Sequence, residues 1–104
     1  MKARLKIAYS DEAFSMIGEI EGRKSVRLED CDLPEAAAVI ITKKDRGIFR
    51  DPHLKAFGIP VFLIVREGEE LCEDVLGEAY GILDLSRASQ DYYKRQIESA
   101  AEQY

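Results

Sequence analysis

A chain of 104 residues is long enough for one domain and too short for two. Its formal net charge of −5 and pI near 4.9 argue against a nucleic-acid-binding face, which needs a basic patch to meet phosphates, and against an acidic membrane surface as partner. With 46% hydrophobic and 34% charged residues the composition is that of an ordinary globular domain, and at this size roughly 65% of the unfolded surface can be buried without covalent staples. No apolar run approaches the ~20 residues of a membrane span, and no signal peptide precedes Leu5. Cys31 and Cys72 lie in unrelated contexts without C-x-x-C spacing, as expected of two reduced thiols in a cytoplasmic protein.

Leu5 to Ala8 alternates briefly and predicts a first strand. Ser10 can cap a helix, with Asp11 and Glu12 well placed in its first turn. Phe14, Ile17 and Ile20, with Ala13 and Met16 beside them, predict one apolar helical stripe that Gly22 terminates. Ser25 to Leu28 predicts a short second strand near an edge, because Arg27 would otherwise be buried. Residues 29–35 hold four acids and Pro34 and predict a solvated connection. Ala37 to Ile41 is apolar throughout, as suits an internal third strand. Lys43 to Gly47 predicts a charged turn. Asp51 to Phe57 predicts a short helix, with Asp51 as cap, Pro52 in its first helical position and Gly58 as its stop.

Pro60 to Val65 is the most apolar run in the chain, and proline is tolerated at the first residue of a strand. It predicts a central strand covered on both faces. Leu71, Val75 and Leu76 suggest a weakly amphipathic turn or two, and Tyr80 to Leu85 a fifth strand. Ser89 can cap a last helix in which Tyr93, Ile97, Ala100 and Tyr104 share a face. No stop signal follows, which suggests that a longer polypeptide continues beyond Tyr104. Five short strands alternating with helical segments predict an α/β doubly wound parallel sheet. Right-handed crossovers favour the flavodoxin-like order 2-1-3-4-5 over residues 1–104 as a single domain.

In such a fold ligands bind beyond the carboxyl ends of the strands. That rim should hold residues 9–12, 42–45, 66–68 and 85–87. A phosphate-binding turn after the first strand would carry glycines or several hydroxyls. Here Ser10 is followed by two acids, so flavin mononucleotide is not expected. A phosphoacceptor receiver domain would need an aspartate ending the third strand, a hydroxyl after the fourth and a lysine after the fifth. The corresponding places hold Thr42, Val65 or Arg66, and Asp84 or Leu85. No catalytic set and no metal-ligand set is evident. The single histidine, His53, suits a solvated helix start. Lys43, Lys44, Arg46 and Arg50 can hold an anion such as a nucleotide phosphate, although charged turns are common on surfaces. Tyr92 lies off the apolar face of the last helix and is the better interface candidate among the tyrosines there.

Four stretches together carry a family resemblance: Leu5-Lys6-Ile7-Ala8, Ala38-Val39-Ile40 after the acidic connection, Phe57-Gly58-Ile59-Pro60-Val61-Phe62, and Ile82-Leu83-Asp84-Leu85 followed by Arg95, Ile97-Glu98, Ala100 and Tyr104. They are similar to the N-terminal wing domain of bacterial ornithine decarboxylases, in the pyridoxal-phosphate-dependent Orn/Lys/Arg decarboxylase family. The resemblance implies a flavodoxin-like domain without chemistry of its own, and no cofactor-binding residue within it. It also implies pyridoxal phosphate in a catalytic domain further along the same polypeptide, and other subunits of a homo-oligomer as partners. In related lysine decarboxylases an arginine after the fifth strand helps to bind a nucleotide alarmone, and Arg87 stands near such a position. A solvated helix start is an equally good reading of Arg87. Lys43, Lys44, Arg46, Arg87 and Tyr92 are thus the effector or interface candidates. The competing reading is a stand-alone degenerate receiver that acts through protein–protein contacts.

Overall fold

In the computed structural model the described residues are 6–20, 22–30, 35–50, 52–66 and 79–103. Five parallel strands form one sheet in the order 2-1-3-4-5: β1 (Lys6–Tyr9), β2 (Lys24–Arg27), β3 (Ala36–Thr42), β4 (Val61–Val65) and β5 (Gly81–Asp84). This is the predicted doubly wound topology, and each strand lies within a residue or two of its predicted place. Register is carried by Tyr9 beside Arg27 and Ile40, Ile40 beside Phe62, and Ile64 beside Leu83. A shift between Lys6 and Ile7 interrupts the β1–β3 pairing.

The apolar runs explain the centre. Every residue of β3 and β4 is buried, as a strand covered on both faces must be. Ile7, Tyr9, Ala38, Ile40, Phe62, Ile64 and Leu83 share one core layer. Ala8, Val39, Ile41, Val61, Leu63 and Val65 project into the other, as the two-residue period of a strand requires. The first layer is closed by α1 (Asp11–Ile17) and α3 (Gln90–Gln103), which contribute Ala13, Ile17, Tyr93, Ile97, Ala100 and Ala101. The second is closed in part by Leu54 of α2 (Pro52–Phe57) and by Ile59. β2 is the predicted edge, with Lys24 and Arg27 exposed at its ends.

Three local expectations need correction. First, α1 ends at Gly18 rather than at Gly22. Gly18 takes φ 78° and donates its backbone N–H to the Phe14 carbonyl at 2.9 Å. Being the first residue in the chain free to adopt a positive φ, it is the first point at which the helix can turn off. Gly22, at φ 82°, shapes the following turn into β2. Second, Phe14 is not on the core stripe. It is 39% exposed and sets its ring edge-on to Tyr9 at 5.2 Å, while Ala13, Ile17 and Ile20 fill the core. Third, the charged turn after β3 is a 3-10 helix, Lys43–Arg50, kinked at Asp45.

The serine caps are as predicted. Ser10 Oγ accepts from the Ala13 N–H at 3.3 Å, and Ser89 Oγ from the Tyr92 N–H at 3.2 Å. Pro52 opens α2, and Gly58 follows that helix with φ 62°. The predicted cap Asp51, the turns around Leu71, Val75 and Leu76, both cysteines and Tyr104 lie outside the described residues. A partly buried ion pair ties the last helix to the start of the sheet. Arg23 Nε and Nη2 donate to Glu98 Oε1 at 2.9 and 2.8 Å.

Candidate functional site

The order 2-1-3 places β1 between two strands reached by crossovers in opposite directions, so the carboxyl ends of β1 and β3 diverge into a crevice. The Ser10 N–H, donating to the Ile40 carbonyl at 3.1 Å, fixes the turn after β1 against β3. Glu12, in the first turn of α1, then projects toward the residues that leave β3 and β4. Its carboxylate pairs with Lys44 Nζ at 3.4 Å and with the Arg66 guanidinium. Together with Thr42 and Lys43 these residues line a cavity of about 240 Å³. Three cations against one carboxylate make this recess basic.

Of the predicted anion-binding residues, Lys43 and Lys44 come together here, whereas the side chains of Arg46, Arg50 and His53 lie outside the described parts of the chain. Arg66 is the residue that the anion reading omitted. It sits twenty-two positions beyond Lys44 in sequence, and only the β3–β4 pairing brings it beside the 43–44 turn. Arg87 stands apart. Its side chain is 84% exposed and reaches Asp84 Oδ2 at 3.4 Å beyond the edge strand β5, with β4 between it and β3. It therefore does not line this recess with Lys43 and Lys44. Asp84 has its carboxyl held below the usual aspartate range, chiefly by the Ser86 hydroxyl and then by the Ser86 N–H, with Arg87 adding to both. Tyr92 is 48% exposed at the start of α3, with its hydroxyl accepting from Gln96 Nε2 at 2.9 Å. Tyr93 beneath it is buried and donates to the Asp84 carbonyl at 2.8 Å.

Ser10 is committed as a helix cap, and the turn after β1 carries the acids Asp11 and Glu12 rather than the glycines or hydroxyls of a phosphate-binding loop. The residues do not fit pyridoxal phosphate either. A Schiff-base lysine has to be held in dry surroundings to lower its pKa, and Lys44 is 79% exposed beside a carboxylate. Thr42 closes β3 where a receiver would carry its phosphoacceptor. Its hydroxyl donates to Asp45 Oδ2 at 3.4 Å. Among the described residues there is no group of three or more His, Cys, Asp or Glu side chains able to hold a metal, and no helix is long and apolar enough to cross a membrane.

A five-stranded parallel sheet in this order, with helices packed against it and a polar, ion-paired rim, defines a doubly wound α/β domain. The comparisons with known proteins give that class a family. A family model described as "Orn/Lys/Arg decarboxylase, N-terminal domain" matches residues 5–104, and the chain belongs to that family. An ornithine decarboxylase of Haemophilus influenzae is 31% identical over 102 residues, which are 96% of this chain and 14% of the relative. The chain thus spans about one-seventh of that relative's length.

Proposed function

We propose that the chain is the non-catalytic N-terminal wing of a pyridoxal-phosphate-dependent ornithine decarboxylase, acting in assembly and regulation. The observation that carries this reading is the family match across residues 5–104 together with the 31% identity to an ornithine decarboxylase. The rim is in keeping with it, because Glu12 is engaged at the surface with Lys44 and Arg66. In the whole enzyme, pyridoxal phosphate would be held by the catalytic domain, and the parent reaction would convert ornithine to putrescine and carbon dioxide in the cytoplasm. The partners are then that catalytic domain and the other subunits of a homo-oligomer, with Tyr92 as a contact residue. A nucleotide effector would meet Lys43 and Lys44 with Arg66, and Arg46 if its side chain joins them. Arg87 would belong to a separate contact beyond β5.

The test is the full reading frame that contains these residues. It should encode a pyridoxal-phosphate domain downstream, and the purified product should release carbon dioxide from ornithine faster than from lysine. A reading frame without such a domain would overturn the proposal. A stand-alone receiver-like role would then remain, and its mark would be magnesium-dependent labelling by a small phosphodonor.

A further inference from the structure

The chain as a whole is acidic, with a formal net charge of −5, yet three of its cations converge on one recess. Lys43 and Lys44 follow the end of β3, Arg66 follows β4, and Thr42 and Glu12 complete the lining of the cavity of about 240 Å³. Glu12 is the one acid among these lining residues, so three cations against one carboxylate leave an excess of two positive charges. Asp45, which the Thr42 hydroxyl reaches at 3.4 Å, lines the neighbouring cavity with Tyr9 and Arg27 instead.

Glu12 does more than balance charge. Its Oε2 lies 3.4 Å from Lys44 Nζ, and its Oε1 pairs with the Arg66 guanidinium. Each carboxylate oxygen thus holds a cation delivered by a different strand end, and the carboxylate stands where an incoming anion would bind. Being tethered, it competes at an effective concentration on the order of millimolar or above. A free monocarboxylate offers the same two contacts and loses to a group already in place. An anion with more charge and more oxygens prevails, since it can engage Arg66 through two parallel bonds and still reach Lys43 and Lys44. Thr42, 6% exposed, adds a hydroxyl in the wall whose bond to Asp45 is long and readily exchanged. The displaced Glu12 remains in the first turn of α1, where the helix dipole favours a negative charge.

We propose that this recess binds a diphosphate group and that Glu12 is its built-in competitor, leaving Arg66 and Lys44 as the ligand takes them over. Side chains make the contacts, in place of the backbone N–H groups of a phosphate-binding loop. The inference rests on the reading that an anionic effector meets Lys43, Lys44 and Arg66, and adds the class of anion and the residue that sets the threshold for its binding.

The experiment is calorimetric titration of the 104-residue chain with sodium pyrophosphate, ADP and sodium acetate at one low ionic strength. Circular dichroism verifies the fold of every variant. Saturable one-site binding of pyrophosphate is expected, with acetate at least about tenfold weaker. Glu12→Gln keeps the size of the side chain and removes its charge, and should tighten pyrophosphate binding about tenfold. Glu19→Gln makes the same change of net charge at an exposed position outside the recess, and should leave the affinity within about twofold of wild type. Arg66→Gln should weaken binding about tenfold or more. ADP binding as tightly as pyrophosphate assigns the site to nucleotide diphosphates, and weaker ADP binding assigns it to the free anion. Unchanged affinity in Glu12→Gln, or an equal gain in Glu19→Gln, would overturn the competitor role while the anion reading stands. Absence of saturable pyrophosphate binding in both the wild type and Glu12→Gln would overturn the anion reading and this inference with it.

Discussion

The two halves of the sheet solve the same packing problem differently. From β3 to β5 the interior is apolar and closed, with β3 and β4 wholly buried. The half formed by β1 and β2 carries charge along its outer strand and leaves a cavity beside α1. Apolar burial is therefore concentrated in the half from β3 to β5. A buried aliphatic strand gains from every residue it removes from water, whereas an edge strand must keep polar groups that discourage pairing with other chains.

The largest effect should come from the closed half. Leu63 is fully buried at the centre of β4, and Leu63→Ala should cost about 2–5 kcal/mol by denaturant unfolding. A loss under about 1 kcal/mol would mean that the centre is no better packed than the edge.

Next in size is the alkaline response of the open half. The folded Tyr9 pKa of about 12 lies above the ordinary 10.0. Below pH 10 both folded and unfolded states carry the proton, and the contribution of Tyr9 is fully present. Between about pH 10 and about pH 12 the unfolded state ionises first, so stability falls by roughly 2–3 kcal/mol and then levels off. The stability difference between the wild type and Tyr9→Phe, measured by urea unfolding from pH 8 upward, isolates this residue from other groups titrating there. A flat difference would show that Tyr9 is not held in its buried place.

Gly81 tests the boundary of the closed half. A Cβ there would meet Phe62 Cδ1 and Cε1 at 3.0 Å, so Gly81→Ala should cost about 1–3 kcal/mol by overpacking. Thermal unfolding would detect this, and a neutral result would indicate that the Phe62 ring has room to retreat. A smaller effect, about 1 kcal/mol, is expected for Ser10→Ala, which removes the cap that sets α1 over the rim. Smallest of all is Arg27→Ala. Its pairs with Asp11 and Glu29 are solvent-exposed, and the urea-unfolding midpoint should stay at the wild-type value.

Much of this architecture was legible in local pattern. Uninterrupted β-branched and aliphatic runs identified the inner strands, Arg27 marked β2 as an edge, and Ser10 and Ser89 announced their helices. Those signals are short-range: a period, a cap or a run depends on neighbours within a turn or two of chain. With right-handed crossovers they suffice for the strand order. The end of α1 was misplaced because Gly18 and Gly22 carry the same local signal, and only the approach to β2 selects between them.

The site was legible as a list of rim positions, but its membership was decided by the fold. Glu12 meets Arg66 because β1 and β4 flank β3 in the same direction, and Arg87 is left out because β5 lies one strand further away. Arg23 and Glu98, 75 residues apart, find each other through the docking of α3 on the sheet. Likewise, nothing in the sequence near Tyr9 or Ser25 marks their hydroxyls as buried neighbours. That depends on how α1 settles over the β1–β2 pair, a matter of tertiary packing that no local residue pattern encodes.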